Sequence, residues 1–231
     1  MSSKRFNKAL ALVDVAKNYP LTQAVEVLSK FPRAKFTETV DLAFRLGVDP
    51  KQSDQMVRGT CPLPHGSGKT VRVLVFTKPG AQAEAAKAAG AEFVGFDDMI
   101  KKCQEGWADF DIAVATTEAM SEVRKLGKVL GPRGLMPNPK TGTVTDDVAK
   151  AIKEVKAGRV EFKIDKAGNV HVPVGKANFS PQQIAENARS VIEAVVRARP
   201  ASAKGVFVRS CTLSLTMSPP VHLDLKEFGA N

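Results

Sequence analysis

Hydrophobic positions along this chain change their period twice. Near the N-terminus, Phe36, Val40, Leu42, Phe44 and Leu46 alternate with Thr37, Thr39, Asp41 and Arg45, the period-two pattern of a half-buried strand. From about Val71 the alternation gives way to short apolar runs separated by helical stretches. Val71–Phe76, Phe93–Val94 and Asp111–Ala115 read as strands. Helices are expected over about 82–89, over 98–104 with Asp97 as cap, from Thr116 or Thr117 through Leu126, and from a Thr145 cap to about Lys156. Gly90 and Gly158 stand where glycines close helices. Repeated strand–helix units with short connections predict a parallel sheet packed between helices, a Rossmann-like segment.

After Gly158 the period of two returns. Val160, Phe162 and Ile164 alternate with charged residues, Lys166-Ala167-Gly168-Asn169 turns, and Val170–Val174 follows, which reads as a β-hairpin. Ser180-Pro181-Gln182-Gln183 is a helix start with a hydroxyl cap and a capping-box Gln, and Ile184, Ala188, Val191, Ile192 and Val195 mark one face of the helix. Val206–Met217 is a final strand carrying Ser210, Thr212, Ser214 and Thr216 on one face. The alternating strands on both sides need one another as partners. The expected architecture is therefore α/β with two domains: a discontinuous α+β domain with an antiparallel sheet, residues 1–67 and 159–231, and an inserted Rossmann-like parallel α/β domain, residues 68–158.

Residues Gly127 to Val144 break this regularity. Four glycines and three prolines in eighteen positions argue against a regular helix or a central strand, so a long shaped loop is expected. From Arg124 to Lys140 the chain carries Arg124, Lys125, Lys128, Arg133 and Lys140 and no acidic residue. The whole chain of 231 residues has a net charge of +10, which points to a polyanionic partner, most simply nucleic acid. No apolar run approaches the ~18 residues that span a bilayer, so no membrane partner is expected. Cys61, Cys103 and Cys211 are far apart and odd in number, as expected of reduced, buried thiols in a cytoplasmic chain.

Catalytic and cofactor motifs are weak. His65-Gly66-Ser67-Gly68-Lys69-Thr70 resembles the end of a phosphate-binding loop, but Leu63 stands where its first glycine belongs and the segment precedes a strand instead of joining strand to helix. After the first parallel strand, Thr77-Lys78-Pro79-Gly80 replaces the glycine-rich dinucleotide turn. His65, His171 and His222 have no metal-ligand spacing, and no nucleophile–base arrangement is evident. The reading is no enzyme, no cofactor and no metal. A nucleotide-dependent enzyme remains the competing class. Phe36 continues the apolar face of its strand and is expected in the core before it is expected as a stacking platform. Lys4, Arg5 and Lys8 read as a solvated or phosphate-facing tail.

Gly131-Pro132-Arg133-Gly134-Leu135-Met136-Pro137-Asn138-Pro139-Lys140-Thr141-Gly142-Thr143-Val144 resembles the signature of bacterial large-subunit ribosomal protein one, the L-one stalk protein family. Leu46-Gly47-Val48-Asp49-Pro50, Ser53-Asp54-Gln55-Met56-Val57-Arg58-Gly59-Thr60 and Pro200-Ala201-Ser202-Ala203-Lys204-Gly205 match as well. The resemblance covers essentially the whole chain. It implies a cytoplasmic, ribosome-associated protein, monomeric when free, that binds large-subunit rRNA at the mobile stalk beside the tRNA exit site. It further implies contact with exit-site tRNA, assistance to release of deacylated tRNA, and repression of its own operon through its messenger RNA. Carried over by motif, the rRNA-binding residues are Glu26, Lys35, Phe36, Thr39, His171, Ser210, Thr216, Met217 and Ser218, with Glu26 orienting a basic side chain or a ribose hydroxyl. Arg133 and Lys140 are expected as secondary RNA contacts. One departure stands out: Ser218-Pro219-Pro220 occupies positions where the family usually has glycines, and glycine there lets an RNA backbone approach closely. A regulator acting only on messenger RNA is the remaining alternative.

Overall fold

The computed structural model describes residues 3–228, apart from the side chain of Lys140. It divides into two compact units, with the boundaries at Lys69/Thr70 and Ala157/Gly158.

The first stretch supplies helices α1 (Lys4–Leu10) and α2 (Leu21–Ser29) and strands β1 (Thr39–Leu46) and β2 (Arg58–Pro62). The inserted unit follows with β3 (Val73–Phe76), α3 (Ala81–Ala88), β4 (Phe93–Gly95), α4 (Asp97–Gln104), β5 (Ile112–Ala115), α5 (Met120–Val123), α6 (Gly127–Leu130) and α7 (Val148–Lys156). The chain then returns through β6 (Arg159–Lys163), β7 (Asn169–Lys176), α8 (Pro181–Arg197), β8 (Val208–Leu215) and β9 (Val221–His222).

In the inserted unit three parallel strands lie in the order β4-β3-β5. All four residues of β3 are buried, as a strand covered on both faces must be. All three expected caps are displaced. The N-cap position of α4 falls at Phe96 without a side-chain cap, and Asp147, not Thr145, caps α7 by accepting the amide of Lys150 at 3.1 Å. Thr116 Oγ1 accepts the amide of Ala119 at 3.3 Å in the turn before α5, whose own N-cap position is Ala119 without a side-chain cap.

The glycine- and proline-rich stretch is more helical than expected. Its first residues form α6, and Gly134, at φ +70°, closes that turn: its amide reaches Gly131 O while the Leu135 amide reaches back to Leu130 O. Asn138–Thr143 repeats the pattern around Gly142, at φ +66°. Both are left-handed glycine stops, in which glycine ends a helical turn without preventing it. Beyond them Val144 forms an isolated parallel bridge to Ala115 at the edge of β5.

In the discontinuous unit the main sheet is antiparallel in the order β7-β1-β8-β9. Helices α2 and α8 cover one face. Val40, Leu42 and Phe44 of β1, with Val170, Val172 and Val174 of β7 and Leu213 and Leu215 of β8, meet Leu21, Val25 and Leu28 of α2 and Ile184, Val191 and Ile192 of α8 in one core. The capping box at Ser180 and Gln183 starts α8 as expected.

The expected hairpin does not form. Asp165 turns the chain tightly, accepting the amides of Ala167 at 2.8 Å and Asn169 at 2.7 Å, but the arms part into different sheets. β7 takes the free edge of β1, whereas β6 pairs with β2. Gly59 of β2 makes this possible, since a side chain there would collide with the Phe162 ring.

Candidate nucleic-acid interface

The second face of the four-stranded sheet carries no helix among the described residues, and its side chains follow from the pairing register. Asn169, Arg45 and Ser210 form one cross-strand row, His171, Ala43, Thr212 and His222 the next, then Pro173, Asp41 and Ser214, and finally Lys176 opposite Thr39. Ser210, Thr212 and Ser214 thus share the outer face, as their spacing predicts, while Cys211, Leu213 and Leu215 point into the core. The register slips at Val174 and at Arg209, two bulges that bend the sheet near its ends. Thr212 Oγ1 lies 3.1 Å from His222 Nδ1.

Asp41 is the acidic residue of these rows. Burial pushes its carboxyl above the ordinary range, and the nearby charges of Lys176 and His171 only partly offset this. A raised folded-state value means that ionised Asp41 disfavours the folded state, with the penalty developing as pH rises through the ordinary carboxylate range. Asp41→Asn is therefore expected to raise the urea midpoint at neutral pH, with the gain shrinking as pH falls into that range. A lower midpoint at neutral pH would contradict this sign.

Six of the expected residues gather where β1 begins and β8 ends. The backbone amide of Thr39 donates to Thr216 Oγ1 at 3.0 Å, and the Thr216 amide donates to Thr39 O at 3.1 Å. Lys176 Nζ donates to Thr39 Oγ1 at 2.8 Å. This brace joins two segments that each expose a large side chain: Phe36 is 54% exposed and Met217 53%. The expected core position of Phe36 is thus overturned. The strand begins only at Thr39, so the period of two does not reach Phe36, and the aromatic ring stands in solvent beside exposed Lys35. Ser218 neither crowds the surface nor offers it a free hydroxyl. Its Oγ accepts the Leu215 amide at 2.9 Å and lies 3.1 Å from Pro219 O, folding back into its own turn. No described residue other than glycine has a positive φ, so the turn does not need the missing glycines for its backbone shape.

His171 and Ser210 lie on the same face, but farther along it. Ser210 pairs with Arg45, six residues beyond Thr39 and about 20 Å along β1. Glu26 stands apart, exposed on α2 in the layer behind the sheet. Among the described residues its carboxylate holds no basic side chain. Arg133 is exposed in the glycine-capped turn of the inserted unit, and the side chain of Lys140 lies outside the described residues.

Two residues of this region leave no local signal in the sequence. Glu38 is 1% exposed, and its Oε1 pairs with Arg5 Nη1 at 3.2 Å. Arg5 also donates from Nη1 to Pro32 O at 3.3 Å and from Nη2 to Met217 O at 3.0 Å. Arg5 is accordingly no tail residue: α1 docks on the unit, with Ala9 in its core.

The histidine–glycine loop before Lys69 is likewise structural. Asn187, fully buried on α8, accepts the His65 amide at 3.0 Å and donates to Gly66 O at 3.0 Å and Val174 O at 2.8 Å. Among the described residues no three His, Cys, Asp or Glu side chains group as metal ligands. No described helix is long and apolar enough to cross a membrane.

A family model described as Ribosomal protein L1p/L10e family matches residues 28–219, and the chain belongs to that family. Membership makes it a ribosome-associated protein that binds rRNA.

Proposed function

We propose that this member of the ribosomal protein L1p/L10e family grips large-subunit rRNA at the end of its bare sheet face, with Phe36 and Met217 as the contact pair. The single observation that carries this reading is the Thr39–Thr216 brace, which fixes two exposed apolar side chains on a cationic unit. Large exposed apolar groups held by hydrogen-bonded backbone suit stacking against unpaired bases and packing against ribose. Lys35 and Lys176 supply charge for phosphates beside them. Thr216 and Ser218 contribute chiefly by shaping the turn, since both hydroxyls bond within the protein. His171 and Ser210 extend the contact along the sheet, and Glu26, in the helix layer behind it, makes a separate contact by orienting a basic side chain or a ribose hydroxyl.

The discontinuous unit is then the rRNA-binding domain. Arg133 and Lys140 on the inserted domain serve as secondary contacts to exit-site tRNA or flanking rRNA phosphates. The protein, monomeric when free, works in the mobile stalk, assists release of deacylated tRNA, and represses its own operon by binding its messenger RNA. None of these steps requires bond-making chemistry.

Titration of purified large-subunit rRNA with the full chain tests this. Affinity is expected to fall by about 0.7 to 0.9 log units per phosphate contact for each log unit of salt. Met217→Ala should weaken binding about tenfold with an unchanged unfolding midpoint; unaltered affinity would remove Met217 from the site. Co-sedimentation with large subunits separates this role from that of a regulator of messenger RNA alone, which would stay in the supernatant.

A further inference from the structure

Helix α1 and the turn after β8 enclose a groove of about 350 Å³, lined by Ser3, Arg5, Phe6, Thr216, Met217 and Ser218. We infer that this groove is a nucleotide subsite of the RNA interface, taking one ribose–phosphate unit against Arg5 between the side chains of Phe6 and Met217. The inference rests on the proposed use of Met217 and adds the first helix to that surface.

The chemistry of the lining favours this occupant. Phe6 and Met217 give apolar walls to a sugar or base, while the hydroxyls of Ser3 and Thr216 shape the groove, Ser3 Oγ accepting the Phe6 amide at 3.2 Å and Thr216 Oγ1 the Thr39 amide at 3.0 Å. Arg5 adds a fixed charge. A guanidinium has five N–H donors, and three contacts are accounted for: Glu38, Pro32 and Met217. Donors remain for a ligand rich in oxygen, and arginine suits phosphate because its charge is planar and forked.

The guanidinium is also unusually well placed for such a ligand. Its ion-pair partner Glu38 is almost fully buried, and the second carboxylate oxygen of Glu38 has no hydrogen-bond partner among the described residues. Arg5 is therefore the one cation paired with that carboxylate among the described residues, which restrains it where it lines the groove. The same side chain ties together the segment before Phe36, the carbonyl of Met217 and α1. Arg5 is thus both a phosphate ligand and a positioning residue for the turn.

The test uses the full chain and purified large-subunit rRNA. The three native cysteines are buried, so a photoreactive group placed on Ser3→Cys labels one position. Irradiation should crosslink that position to the rRNA at a single short stretch of sequence. Arg5→Ala should weaken binding at least tenfold and make the salt slope shallower by about 0.7 to 0.9. Because Arg5→Ala leaves Glu38 buried without its cation, the double variant Arg5→Ala, Glu38→Gln is measured beside it and should show the same shallower slope. Arg5→Lys keeps the charge and should keep the slope. If Met217→Ala weakens binding while the Ser3 probe stays uncrosslinked and both Arg5→Ala variants keep the wild-type slope, the groove is empty and this inference is overturned. If Met217→Ala also leaves binding unchanged, the proposed interface itself has failed.

Discussion

Asn187→Ala is expected to destabilise the discontinuous unit by about 1–3 kcal/mol. The side chain is fully buried and makes three bonds, to the His65 amide and to the carbonyls of Gly66 and Val174. Truncation strands those groups, and a buried group left without its partner costs about 1–3 kcal/mol. The cost centres on Val174 O and the emptied space, because His65 is exposed and Gly66 half-buried, so water can reach their groups. The chain provides its own separate reporters. Its one tyrosine, Tyr19, packs against the core of the discontinuous unit, and its one tryptophan, Trp107, packs with Phe93 and Phe110 in the inserted unit. In urea the Tyr19 transition should move down by about 1 M, taking m near 2 kcal/mol/M. The Trp107 transition should stay. An unmoved Tyr19 transition would show that the clamp is dispensable.

Elements whose signals are local were legible in the sequence. The α8 start at Ser180-Pro181 and its apolar face needed only spacing and a cap, and the βα units of the insertion needed only short runs and glycine stops. What escaped depended on partners distant in sequence. β2 holds Gly59 and Pro62, poor strand formers, and is a strand because β6 pairs with it instead of with the edge of β7. The glycines at 134 and 142 look like breakers in a list of residues, yet in place they terminate helical turns.

The site shows the same division. The outward face of β8 followed from period two alone. The solvent position of Phe36 did not, because periodicity cannot say where a strand begins. The Arg5–Glu38 pair spans 33 positions and joins a residue read as a solvated or phosphate-facing tail to one with no signal of its own in the sequence.

Phe36→Ala should weaken rRNA binding by about 10- to 100-fold and leave folding intact. The two halves of that expectation have separate physical grounds. Base–aromatic stacking is worth about 1–3 kcal/mol per base when the ring is removed, which converts to roughly that range of affinity. Stability should change by no more than about 0.5 kcal/mol, because the ring is more than half exposed and lies outside β1. Phe36→Leu separates stacking from general apolar contact: it retains bulk without a π face, so most of the loss should persist, whereas Phe36→Tyr should restore binding. Thr216→Val supplies the contrast. It removes the hydroxyl that accepts the Thr39 amide, so it should lower the unfolding midpoint and the affinity together. If Phe36→Ala binds as tightly as the parent while Thr216→Val does not, the rRNA contacts the braced backbone and passes over the ring.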